Sequence, residues 1–128
     1  MEPIWIKNYP PGVPAAVELD AGQTLVSLAE NSFRDYADRP SFACMGKTLS
    51  YRELDQASRA FAAWLQQSGL EPGTRLAIML PNVLQFPIAL FGALRAGMTV
   101  VNVNPLYTAR ELEHQLTDSG AEAIVILA

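Results

Sequence analysis

No stretch of this chain approaches the run of about 20 apolar residues that a membrane-spanning helix needs, so no spanning segment is expected. Basic runs are also missing. Nine Lys and Arg stand against thirteen Asp and Glu, a formal net charge of −4. Without a clustered positive patch, nucleic acid is not expected as a partner. Cysteine occurs once, at Cys44; no internal disulfide can form, and a reducing cytoplasm is the expected compartment. Histidine also occurs once, at His114. One histidine and one cysteine this far apart in sequence do not make a metal site. The opening Met1-Glu2-Pro3-Ile4-Trp5 lacks the basic and apolar regions of a secretory signal. Neither G-x-G-x-x-G nor G-x-x-x-x-G-K-[ST] occurs, so no glycine-rich loop is available to cradle a phosphate.

What remains is a packed chain. Half of its 128 residues are hydrophobic and 17% are charged, which argues against disorder and bounds it to one domain with a soluble core. Residues 1–23 are broken by Pro3, Pro10, Pro11, Gly12 and Pro14 and are expected to form an extended arm. Ile4, Trp5 and Ile6 would lay it over the core, with a contact to a second subunit as the alternative.

From Thr24 onward the punctuation is regular. Thr24 caps a helix with Leu25, Leu28, Ala29, Phe33, Tyr36 and Ala37 on one face, ended before Pro40. Ser41–Met45 and Lys47–Ser50 read as short strands joined around Gly46. Ser50 and Glu53 form a capping box for a helix to about Ser68, with Leu54, Ala57, Phe61, Trp64 and Leu65 as its buried stripe. Arg75–Leu80, Met98–Val103 and Ala123–Leu127 are short apolar runs without alternation, the pattern of strands covered on both faces. Between them lie two helices. Asn82 caps the first, which contains Pro87 as an expected kink and stops at Gly97; Thr108 and Glu111 box the second, which stops at Gly120. Strand, helix, strand, helix, strand with short links predicts a parallel α/β sheet with right-handed crossovers. Residues 24–128 are accordingly expected to be an incomplete α/β subdomain, whose apolar face further sequence would cover.

Chemistry-bearing residues are few. His114 lies between Glu113 and Gln115 on a helix, where a solvated side chain is expected. Cys44 sits beside Phe42 and Met45 and is expected to be a buried structural thiol. Glu111, Glu113 and Asp118 form the wet face of one helix. In parallel sheets ligands bind beyond the carboxyl ends of the strands, which singles out Asn82, Phe86 and Asn102 as candidate substrate-binding residues. Each has a plainer alternative. Asn82 would cap a helix, Phe86 would be a core aromatic, and Asn102, with Asn104, would tie down the loop through Pro105, Leu106 and Tyr107.

Two segments carry a family resemblance. Leu49-Ser50-Tyr51-Arg52-Glu53-Leu54 is similar to L-[TS]-Y-x-E-L, the first core motif of the adenylate-forming acyl-CoA synthetases. The run Leu94-Arg95-Ala96-Gly97 to Pro105 is similar to the second, L-[KR]-A-G-x-x-x-V-x-x-x-P. Trp5 with Tyr9-Pro10, Phe61 to Gln66, Leu80-Pro81-Asn82, Gln85-Phe86-Pro87 and Val101 to His114 resemble the bacterial long-chain fatty-acid–CoA ligases, and the resemblance covers essentially the whole chain. It implies the N-terminal fragment of the adenylate-forming fold. It also implies a parent enzyme that joins a fatty acid to coenzyme A through an acyl-adenylate, using ATP and Mg2+. Peripheral contact with the inner membrane is further implied; a homodimer is expected separately, from the apolar arm around Trp5 as a strap between subunits. The family's phosphate loop, its acidic nucleotide-binding segments and its late lysine have no counterparts here. No catalytic, metal or cofactor-binding residue is therefore assigned, none of these cofactors is expected on this chain alone, and the chain alone is expected to be inactive. A non-catalytic binding or dimerisation module and a ligase for another carboxylic acid are the competing expectations.

Overall fold

The computed structural model describes residues 4–18 and 20–127. A single 3-10 turn occupies Ile6–Asn8, and regular structure begins at α1 (Leu25–Asp35). Thr24 is its N-cap. The Thr24 hydroxyl accepts from the Ser27 amide, and the Ser27 hydroxyl reaches back. The predicted face of α1 is only half covered: Ala29 and Phe33 are buried, whereas Leu25 and Leu28 are at least half exposed. Of the three apolar residues expected to lay the arm over the core, Ile6 is half-buried and the other two are exposed. Ile4 is 78% and Trp5 59% exposed.

Strands β1 (Pro40–Cys44) and β2 (Lys47–Ser50) form an antiparallel hairpin. Its tip is Met45-Gly46, both at positive φ (49° and 75°), the two-residue turn whose twist matches paired strands. Helix α2 (Tyr51–Gln67) starts from the Ser50–Glu53 capping box. Its buried residues are Leu54, Ser58, Ala62 and Leu65; Leu54 and Leu65 stand as expected, Ala57 and Phe61 are half-buried, and only Trp64 leaves the expected stripe. Trp64 is exposed and stacks on Phe61, while the polar Ser58 is fully buried beneath α3.

The rest is the parallel unit: β3 (Arg75–Met79), α3 (Gln85–Arg95), β4 (Thr99–Asn102), α4 (Ala109–Ser119) and β5 (Ala123–Ile126). The sheet order is β4-β3-β5, with Ile78 opposite both Asn102 and Val125. The first crossover steps to one side of β3 and the second passes back over it, so right-handed connections put α3 and α4 on opposite faces. Two expectations about α3 fail together. Asn82 does not cap it; the helix begins at Gln85 without a side-chain cap, after a turn in which the Val83 carbonyl accepts from the Phe86 amide (3.0 Å). Pro87 therefore falls in the first turn, where an amide has no helical partner, and no kink is required.

Helices α2 and α3 cover one sheet face through Leu65, Leu76, Ala93 and Met98, and Ile78, Leu80 and Ala89 extend that core toward the strand ends. The two helices meet at Gly92. A Cβ there would lie 2.7 Å from Phe61 Cδ1 and 2.9 Å from the Ser58 carbonyl oxygen, so only glycine permits this approach. Coverage of both faces holds for β3 alone; β5 alternates, with Ile124 38% and Ile126 59% exposed, since no residue of α4 is fully buried.

Candidate functional site

The carboxyl ends of β3 and β4 open onto two short loops, 80–84 and 103–108. Asn82 is exposed in the first, and its carbonyl accepts from the Cys44 thiol (3.3 Å). That contact brings the hairpin against the start of α3. Between them is a cavity of about 240 Å³ lined by Phe42, Ala43, Cys44, Asn82, Leu84 and Phe86, among others. Phe86 is half-buried and packs on the Ile78–Leu80–Ala89 cluster. The expected fully buried Cys44 is half-buried instead, because its side chain forms part of this cavity wall. A second apolar cavity of about 240 Å³ lies past the ends of β3 and β5, between Phe61, Leu80, Ile88, Val125 and Leu127.

Asn102 does not join Asn82 and Phe86. It ends β4 opposite Ile78, outside the residues that line either cavity. Its main-chain carbonyl accepts from Gln115 Nε2 of α4 (2.9 Å). Asn104 ties the loop as its plainer reading held: its Oδ1 accepts from the Leu106 amide (3.0 Å), and its carbonyl accepts from the Tyr107 amide (3.1 Å). Glu111 accepts from Thr108 in the next capping box, and those hydrogen bonds hold its carboxyl below the usual glutamate range. His114 is exposed on α4, as expected.

Residues 80–87 and 102–108 contain no lysine, arginine, aspartate or glutamate. This edge therefore has no cation for a triphosphate and no carboxylate for Mg2+, and the residues present do not fit a bound Mg·ATP. The charged cluster lies elsewhere, where α1, α2 and α3 meet. Arg95, with its side chain 7% exposed, donates to the Asp55 carboxylate, the Asp55 carbonyl (3.0 Å) and Ser58 Oγ (3.0 Å). Its guanidinium stands 5.1 Å from the Phe33 ring centre. Arg59 shares Asp55, and Glu30 lies 3.6 Å from Arg95. Burial pushes the Asp55 carboxyl up, but the hydrogen bonds and charges of Arg95 and Arg59 outweigh it and hold that carboxyl below the usual aspartate range. Arg95 and Arg59 each already face the Asp55 carboxylate, with Glu30 beside both, so the cluster is an ion-pair network joining α1, α2 and α3 and its work is structural. Sequence reasoning missed both Arg95 and Gln115. A charged or amide residue on a helix looks solvated until its partner from another element is known.

The fold and the two core motifs together define an adenylate-forming scaffold. The chain belongs to the AMP-binding enzyme family, whose sequence profile matches residues 29–128. The long-chain-fatty-acid–CoA ligase of Yersinia pestis is 59% identical over 129 residues, covering all of this chain and 23% of that protein. The chain thus spans about a quarter of the length of the curated relatives it matches, at their N-terminal end. Among solved structures, VinN superposes with a TM-score of 0.80 at 28% identity, over 85% of this chain and 29% of that one. The N-terminal subdomain of Klebsiella oxytoca NpsA superposes at 0.76 over 79% of this chain and 26% of that one; at 24% identity it speaks for the fold alone. Among the described residues no helix is long and apolar enough to cross a membrane.

Proposed function

We propose that this chain is the N-terminal scaffold of an AMP-forming long-chain fatty acid–CoA ligase, and that the phosphate-handling groups of that enzyme lie outside it. The observation that carries this reading is 59% identity, without loss of coverage, to a long-chain-fatty-acid–CoA ligase. In the parent reaction the fatty acid carboxylate displaces pyrophosphate from Mg·ATP to form an acyl-adenylate, and the coenzyme A thiol then displaces AMP. This chain contributes a rigid sheet edge. In this reading Asn82 and Phe86 supply part of the apolar wall against which an acyl chain lies, and Asn102 orders the neighbouring loop. The absence of charge along residues 80–87 supports that role, since an alkyl chain needs no polar partner.

The test is a chimera in which residues 1–128 replace the matching N-terminal part of the Yersinia pestis ligase. The chimera is expected to form oleoyl-CoA from oleate, ATP and coenzyme A, whereas the 128-residue chain alone gives no oleate-dependent ATP–pyrophosphate exchange. A folded chimera with no thioester product from medium- or long-chain acids would refute the reading. Phe86→Ala in the chimera is expected to change the chain-length profile; an unaltered profile removes Phe86 and Asn82 from the acyl wall. The exposed Ile4 and Trp5 support the arm as a contact with a second subunit, in which case deletion of residues 1–20 lowers the oligomeric mass in solution.

A further inference from the structure

Gln115 buries an acceptor that has no partner. Its Oε1 is the one buried side-chain polar atom without a hydrogen bond among the described residues. Stranding such an atom costs about 1–3 kcal/mol. A methionine of similar shape would fill the same space between α4 and the sheet without that penalty. The contribution of the carboxamide therefore lies at its other end, where Nε2 donates to the Asn102 carbonyl (2.9 Å).

That carbonyl points away from the sheet. The amide of Val103 bonds the Ile78 carbonyl on β3 (3.0 Å), and alternation along a strand turns the Asn102 carbonyl to the outer edge of β4, where no strand of the described residues meets it. Gln115 supplies the missing donor. Four successive restraints then act on the loop: Gln115 at Asn102, the buried Val103, the Asn104 side chain at Leu106, and the Thr108–Glu111 box. The loop so held stands at the carboxyl edge of the sheet, the edge at which parallel α/β enzymes bind their ligands.

From this geometry we infer that Gln115 is a positioning residue for the ligase reaction, acting through the main chain of Asn102 to hold the 103–108 loop in its working conformation. The inference rests on the ligase reading above. Removing the donor loosens the loop without weakening the core, so activity and stability separate. In the chimera, Gln115→Met is expected to keep or raise Tm, to speed amide hydrogen exchange in 103–108, and to lower kcat for oleate-dependent ATP–pyrophosphate exchange about five- to tenfold, the worth of one hydrogen bond. Gln115→Glu keeps the shape but sets a carboxylate against the Asn102 carbonyl, and is expected to lower both kcat and Tm. Wild-type kcat in both variants overturns the inference, as does a loss of kcat in Gln115→Met that follows a fall in its Tm. An inactive parent chimera overturns the ligase reading instead, so the two failures are distinguishable.

Discussion

The two faces of the parallel sheet are built from similar apolar residues and end up differently. On one face, Leu76 and Ile78 of β3 are no more than 2% exposed, packed against buried residues of α2 and α3 such as Leu65, Ala89 and Ala93. On the other, Ala77 at the centre of β3 is fully buried, but Ile124 and Ile126 of β5 remain at least a third exposed, and no residue of α4 is itself fully buried. Composition does not separate them; helix contact does. Helices α2 and α3 approach closely at Gly92 and are joined by Arg95, whereas the apolar residues of α4, Leu112 and Leu116 among them, are only half-buried or exposed, and Gln115 bonds the end of β4. Stability belongs to the first face, and the loops that meet ligands in this fold belong to the strand ends between the two.

The largest break in that contrast is Leu65→Ala. Leu65 is 0% exposed at the centre of the α2 stripe, and its truncation is expected to cost about 3 kcal/mol in urea unfolding, from lost transfer energy and the cavity left behind. Arg95→Met comes next, at about 2 kcal/mol. A partnerless buried carboxylate would cost more, but Asp55 keeps Arg59 and some access to water. The same cluster has a pH signature. Asp55 titrates lower in the folded protein than in the unfolded chain, so its contribution is complete above the unfolded value and is lost as pH falls through the folded one. The stability gap between wild type and Asp55→Asn is thus expected to be full at pH 7 and to close below about pH 4. A gap that persists at pH 2 would show that Asp55 works through its shape rather than its charge.

Gly92→Ala sharpens the contrast at the point of closest approach. Alanine raises helix propensity by about 1 kcal/mol, but its Cβ would press on Phe61 and on the Ser58 carbonyl. Overpacking of this kind costs about 1–3 kcal/mol, so a net loss of about 1 kcal/mol is expected. A gain in stability would show that the α2–α3 contact yields.

Features set by neighbouring residues were legible in the sequence. The Ser50–Glu53 and Thr108–Glu111 boxes, the stops at Gly97 and Gly120 and the strand–helix alternation all stand as expected. Asn82 and Phe86 share a cavity wall because they lie within one turn of each other. Features that depend on a distant partner were not legible. Trp64 looked like core and is exposed, while the place in the core is taken partly by Ser58, whose partner Arg95 lies 37 residues away. Asn82 looked like a cap because a capping residue in that position usually starts a helix, and the turn through Val83 and Leu84 delays the start. Cys44 reaches the Asn82 loop from 38 residues away, and no spacing rule announces a contact of that length.

The smallest expected effect tests the weak face directly. Ile126 is 59% exposed on β5, so Ile126→Thr removes little buried area, keeps the β-branch that strands favour and is expected to change the unfolding free energy of the 128-residue chain by no more than about 0.5 kcal/mol. Burial, and not residue type, decides the cost, so the same substitution in the chimera reports on the surroundings of β5 there. If the remainder of the ligase packs on this face, the cost rises to about 1–2 kcal/mol, the value for trading buried apolar contact for a hydroxyl. An equally small effect in both proteins would mean that the exposed face of β5 stays exposed in the larger protein, and the difference between the two faces would then be a property of the fold itself.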